Sequence, residues 1–120
     1  MSFMQKIRDF FSRKSSVSQG GGDKAISKQK AGGKMTARER IAALLDADSF
    51  HEYDLFVEHN CQDFGMGDKS LNADGVITGS GTIAGRPVCI YAQDFTVAGG
   101  SLGIMHARKI TKVMDHAINL

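Results

Sequence analysis

Residues 93–117, QDFTVAGGSLGIMHARKITKVMDHA, constrain this chain more than any other stretch. A strand-like apolar run ends at Phe95, two glycines stand together at Gly99 and Gly100, and a helical period starts after Gly103. Ile110, Val113, Met114, Ala117 and Ile118 recur at the spacing of one helix face. Arg108, Lys112 and His116 share another face, with Lys109 beside them. A glycine pair before a helix lets a ligand approach the backbone with no Cβ in the way. It also leaves free amides and the positive end of the helix dipole for a phosphate, a carboxylate or a thioester oxygen. The simpler alternative is a tight strand-to-helix crossover in which Ser101 caps the helix. From the residues alone both readings stay open.

The segment upstream gives the fold class. Residues 75–84 and 88–95 read as a hairpin turning through Ala84, Gly85, Arg86 and Pro87. Val88 to Ala92 are apolar on both faces, which predicts a strand buried on both sides in a layered α/β structure. GSGTIAG at 79–85 imitates a dinucleotide fingerprint, but it leads into another strand where that motif needs a helix. Thr36 and Glu39 form a capping-box pattern, followed by Ile41, Leu44 and Leu45 on one helix face. Arg38 and Arg40 on that helix read as solvated or paired with nearby carboxylates. Residues 50–58 are expected to form a strand. His59, Cys61 and Asp63 lie close together but lack a second cluster to complete a metal shell, so they read as a structural loop.

Residues 1–19 carry Phe3, Met4, Ile7, Phe10 and Phe11 at helical spacing among Lys6, Arg8, Arg13 and Lys14. A basic amphipathic segment can be a targeting peptide or a membrane-surface helix. Asp9 departs from the acid-free transit pattern, and a helix docked on its own protein or a neighbouring subunit is the reading taken. Gly20, Gly21 and Gly22 break the chain, and residues 20–34 read as a mobile arm holding one short helix. The expected division is therefore 1–35, a helical and glycine-rich arm, and 36–120, an incomplete domain.

The bulk numbers exclude several classes. A net charge of +2 in 120 residues is too small for a nucleic-acid binder. Cys61 and Cys89 form no CxxC pair, so no zinc ribbon and no bound metal is expected. They read as reduced thiols in a cytoplasmic compartment, with the mitochondrial matrix as the alternative. No apolar run approaches the roughly 20 residues of a membrane span.

Three stretches together carry a resemblance: GGKMTARERIAALLDADSF at 32–50, DGVITGSGTIAGRPVCIYAQDFTVAGGSLG at 74–103 and MHARKITKVMDHA at 105–117. They are similar to the carboxyltransferase subunits of biotin-dependent acyl-CoA enzymes, such as propionyl-CoA carboxylase beta chains and methylmalonyl-CoA decarboxylase alpha chains. The resemblance implies a partial crotonase-like fold, a spiral of ββα units, preceded by the helical arm. It implies transfer of a carboxyl group between biotin, held on a separate carrier protein or domain, and an acyl-CoA. Backbone amides would stabilise the enolate, with no catalytic side chain in this segment. Ala98, Gly99, Gly100 and Ser101 would lie beside the acyl-CoA, and Arg108, Lys109 and Lys112 would be possible contacts to its phosphates. Homo-oligomers, commonly hexamers, are also implied. Ala98 stands where the family often has a bulky aromatic, which leaves the acyl group open. The family's further oxyanion loop and second domain are not found in the 120 residues, so the chain is expected to be a fragment inactive alone. A non-catalytic subunit-interaction module and another crotonase-type CoA enzyme are the competing readings.

Overall fold

The computed structural model describes residues 1–120. Four helices, α1 (Phe3–Ser18), α2 (Asp23–Ala31), α3 (Ala37–Leu44) and α4 (Ile104–Asn119), accompany three strands, β1 (His51–Tyr53), β2 (Val76–Ile83) and β3 (Arg86–Gln93). The strands form an antiparallel sheet in the order β1-β2-β3. β2 and β3 pair from Val76 opposite Gln93 to Ile83 opposite Arg86, and α4 follows β3 to complete one ββα unit.

The hairpin turn is tighter than the sequence suggests. It consists of Ala84 and Gly85, with φ of 50° and 76°, and Arg86 and Pro87 already belong to β3. Two successive positive φ values match the right-handed twist of the strands. Alanine is an uncommon choice there, and Asp46 compensates. Its carboxylate accepts from the Ala84 and Gly85 amides at 2.9 Å each and from Thr82 Oγ1 at 2.6 Å. These donors, Thr82 first, hold the Asp46 carboxyl below its ordinary range.

The core lies between α3 and the sheet. The Thr36–Glu39 capping box forms in both directions, at 3.0 and 3.2 Å. It starts a helix that buries Ala37, Ile41 and Leu45 against Ile77, with Val88, Ile90 and Ala92 packed around them. Leu44 does not join this face; it is 55% exposed. The buried stripe runs at i, i+4, i+8 from Ala37, a spacing that places Leu44 to one side. Arg38 forms a bidentate pair with Glu52 at 2.8 and 3.0 Å, so α3 also grips β1. Side chains alternate along β2, so Val76 and Thr78 face away from α3 and are buried too. α4 packs against β2 and β3. β2 is thus the strand covered on both sides. β3 is an edge strand, half-buried, with Tyr91 48% exposed, contrary to the expectation for 88–92.

The expected strand at 50–58 shrinks to His51–Tyr53, because Asp54 takes φ 55° and ends it. His59 is engaged within its own loop: Nε2 meets the Lys69 carbonyl at 2.6 Å, and Nδ1 accepts from the Cys61 amide at 3.2 Å. Gly85 of GSGTIAG lies in the turn, while Gly79 and Gly81 lie inside β2, as their strand context requires. They let the backbone of residues 49–52 press close. A Cβ on Gly79 would stand 2.2 Å from the His51 carbonyl oxygen and 2.7 Å from the Phe50 ring. Gly79→Ala is therefore expected to force β1 off β2 at a cost of about 2 kcal/mol. A urea titration checks this, and an unchanged midpoint would show that β1 is not seated there.

α1 forms as its periodicity predicts, behind a Ser2–Gln5 capping box, but none of its residues is buried. Phe10 meets the Phe56 ring edge-on at 5.8 Å, and the Arg13 guanidinium lies over that ring at 5.6 Å. No helix is long and apolar enough to cross a membrane.

Candidate functional site

The ten residues between β3 and α4 are folded, not slack. The Asp94 amide extends the hairpin by donating to the Gly75 carbonyl at 2.7 Å. The Asp94 carboxylate then accepts from the Thr96 amide at 3.0 Å and the Thr96 hydroxyl at 2.6 Å, closing an Asx turn. Val97 is buried, and its carbonyl accepts the Gly100 amide at 2.8 Å. Between these anchors Ala98, Gly99 and Gly100 take φ of 46°, 65° and 70°. Three successive left-handed residues explain the glycines, since L side chains rarely adopt that region.

The turn leaves usable donors. The amides of Ala98 and Gly99 donate to no protein atom, and both residues are exposed. A Cβ built on Gly99 would meet nothing within 4 Å. Phe95, Leu102 and Ile104, close by in sequence, stand 69%, 64% and 61% exposed. Two unengaged amides with exposed apolar residues nearby in the chain suit a ligand with an oxygen acceptor and an apolar body.

The end of α4 differs from expectation. Ser101 does not cap it; the Ser101 hydroxyl donates back to the Ala98 carbonyl at 2.8 Å. Gly103 occupies the cap position, and the buried carboxylate of Asp74 accepts the His106 amide at 2.7 Å. An internal anion therefore already fills the positive end of the helix. Donors for a ligand come from the turn itself.

The basic residues separate. Arg108 is exposed and forms no ion pair. Lys112 pairs with Asp54 at 2.9 Å, in a cleft beside β1 that also holds Tyr53 and His116. Lys109 is 2% exposed, and its ammonium donates to the carbonyls of Ala73 at 2.9 Å and Val76 at 2.6 Å. Burial lowers its pKa to about 8. The buried stripe of α4 is His106, Lys109 and Val113, while Met114 and Ile118 of the expected apolar face stand 52% and 82% exposed. His106 is fully enclosed. Its Nδ1 meets the Asp74 carbonyl at 2.8 Å and its Nε2 meets Gln93 Nε2 at 3.2 Å. That pairing is satisfied with the hydrogen on Nδ1.

A cleft of about 350 Å³ runs from Gly99 past Phe95 and Thr96 to Lys28, Gln29 and Lys34 of the arm. Lys28 and Lys34 make no ion pair. Sequence reading overlooked both, because the arm read as mobile. The available signal for Lys28 was the lysine-rich run DKAISKQK directly after a glycine break, and Lys34 follows the next glycine pair.

Residues 28–120 match the carboxyl transferase domain. The chain belongs to that family. It is 52% identical over 113 residues to the methylmalonyl-CoA decarboxylase subunit alpha of Propionigenium modestum, covering 94% of this chain and 22% of that protein. It is 56% identical over 103 residues to the mitochondrial propionyl-CoA carboxylase beta chain of Homo sapiens, covering 84% and 19%. The transcarboxylase 12S structure superposes with a TM-score of 0.96 at 40% identity, over 99% of this chain and 23% of that one. That protein assembles as a hexamer and was solved with methylmalonyl-coenzyme A and methylmalonic acid bound. The chain thus has the α/β, crotonase-like carboxyltransferase fold, in which β2, β3 and α4 make one ββα unit. It spans about a fifth of the length of the curated relatives it matches.

Proposed function

We propose that this carboxyl transferase segment supplies one wall of an acyl-CoA site. The whole protein would move a carboxyl group between biotin and an acyl-CoA, as the carboxyltransferase subunit of a carboxylase or decarboxylase. The observation that carries this reading is the Ala98–Gly100 turn, whose two unengaged amides stand at the cleft that Gly99 shares with Phe95. Ala98 and Gly99 would donate to substrate oxygens, Gly100 would keep the backbone accessible, and Ser101 would hold the turn through its bond to the Ala98 carbonyl. The cleft toward Lys28 and Lys34 offers cations to the phosphates of the coenzyme. Arg108 remains a further candidate. Lys112 would have to leave Asp54 and Lys109 its two carbonyls to serve as such contacts.

The residues here do not enclose a biotin. The turn is an open surface in which Phe95 and Leu102 are more than half exposed. Under this reading biotin arrives on a carrier protein or domain, and the subunit works as a homo-oligomer, with a hexamer as the first expectation. The cytoplasm is the compartment that fits, with the mitochondrial matrix as the alternative.

Calorimetry with propionyl-CoA tests the wall. Saturable binding is expected, weakened about tenfold or more by Gly100→Val, because a β-branched residue at φ 70° must rebuild the turn. A second reading, a subunit-interaction module, is favoured by α1, whose Phe3, Met4, Phe10 and Phe11 are 49–76% exposed. No binding together with a concentration-dependent oligomer would support it.

A further inference from the structure

Gly20 and Gly21, of the three glycines at 20–22, lie against the segment that leads into the Ala98–Gly100 turn, and the contact is specific. The Gly21 amide donates to Thr96 Oγ1 at 3.0 Å. The Thr96 hydroxyl in turn donates to Asp94 Oδ1 at 2.6 Å. There is no room for a side chain between them. A Cβ on Gly21 would stand 1.7 Å from the Thr96 carbonyl oxygen, and one on Gly20 would stand 2.6 Å from Asp94 Oδ2. From the other side Asn72 Nδ2 donates to the Gly20 carbonyl at 2.7 Å and to the Ser16 carbonyl at 3.3 Å. The end of α1 is thereby tied both to the turn before β2 and to the turn after β3. This replaces the expectation of a mobile arm at residues 20–22 with a pinned one.

We propose that Thr96 is a positioning residue whose hydroxyl, held between the Gly21 amide and the Asp94 carboxylate, fixes how the Ala98 and Gly99 amides meet an acyl-CoA. Residues 20–22 act as the strap that holds it. The inference rests on the turn being the acyl-CoA wall. Two features make the hydroxyl decisive. It is at once an acceptor and a donor, a pairing that neither a methyl group nor a carboxylate reproduces. It also sits two residues before Ala98, with only the buried Val97 between, so a shift of Thr96 reaches the turn with little backbone to absorb it. Two of the three glycines follow from the same contact, since Gly20 and Gly21 must approach without Cβ atoms, while Gly22 takes φ 93° in open space.

Thr96→Val keeps the shape and removes both hydrogen bonds, whereas Thr96→Ser keeps both. The full 120-residue chain would be titrated with propionyl-CoA by calorimetry, and the same samples examined by amide NMR. Thr96→Val is expected to weaken binding about fivefold, and Thr96→Ser less than about twofold. The Gly21, Ala98 and Gly99 resonances should move in the valine variant and stay in the serine one. Ile41→Val loosens the core away from the strap and should leave the affinity unchanged, which separates positioning from general stability. Wild-type affinity in Thr96→Val, or unmoved Ala98 and Gly99 resonances, overturns the proposal. If the unaltered chain shows no saturable binding, the acyl-CoA reading falls, and the resonances alone then decide the strap. Should Thr96→Val fail to fold, Asn72→Ala releases only the Gly20 and Ser16 carbonyls and is read by the same two outcomes.

Discussion

Asp74→Ala is expected to lower the unfolding free energy by about 3 kcal/mol, read as a fall in the urea midpoint at constant m. Asp74 is 4% exposed and performs two tasks at once. Its carboxylate caps α4 from 32 residues away by accepting the His106 amide, and its carbonyl meets His106 Nδ1 at 2.8 Å. Losing a cap costs about 1 kcal/mol, and losing a buried hydrogen bond to a charged group costs about 1.5–3. The backbone adds to this. Asp74 sits at φ 47°, which aspartate tolerates better than alanine. Asp74→Asn separates the contributions, since asparagine keeps an acceptor and tolerates the conformation while removing a charge that offsets Lys109. A loss of about 1 kcal/mol is expected for it. A midpoint for Asp74→Ala within error of the unaltered chain would mean that α4 is not capped from the turn before β2. The functional consequence concerns the division of labour. With Asp74 in place the helix dipole is already answered, so any ligand bonds fall to the Ala98 and Gly99 amides.

Local patterns were legible, and long-range polar contacts were not. Thr36 and Glu39 announce a helix start because both partners lie within one turn of each other. β2, β3 and α4 were legible because period 2 gives way to period 3.6 across a glycine pair. Asp46 and Asp74 were missed for a shared reason. Each carboxylate serves donors more than 30 residues away, at Thr82 and Ala84 for one and at His106 for the other. The face of α4 was misjudged because hydrophobicity placed Met114 and Ile118 inward, while the sheet buries His106 and Lys109. Those two polar side chains are admitted because the 72–75 turn presents carbonyls to them: Ala73 to Lys109 and Asp74 to His106. The glycine turn and the presence of free amides were legible from sequence, but not which amides stay free, since the Asp94–Thr96 bonds and the Asp74 cap decide that. At Gly20 and Gly21 the arm is pinned, which was not legible because glycines look alike in sequence whether they are slack or pressed against a neighbour.

Between pH 8 and 10.5 the chain is expected to gain about 3 kcal/mol of stability, and Lys109→Met to erase most of that gain. Lys109 ordinarily titrates near 10.5, and in the folded chain near 8. Burial is the main cause; Arg38 acts in the same direction, and Glu52, Asp54 and Asp74 oppose it in part. The sign follows from proton counts. Below pH 8 both states hold the proton, and the folded state bears the full cost of an enclosed ammonium. Between 8 and 10.5 the unfolded chain retains a proton that the folded chain has released, so stability rises by up to about 1.4 kcal/mol per pH unit. Above 10.5 the contribution is flat. At pH 7 the methionine variant should stay within about 1 kcal/mol of the unaltered chain, because relief from the buried charge offsets the loss of the Ala73 and Val76 bonds. Lys109→Ala adds a cavity and should be clearly worse at every pH. Urea titrations at half-unit steps from pH 7 to 10.5 compare the proteins. Every other ionisable group is shared by both proteins, so the difference between the curves isolates Lys109. A methionine variant that keeps the full rise would place the titrating group elsewhere. A rise that disappears would tie the junction of α4 and β2 to one lysine, in the ββα unit that carries the glycine turn.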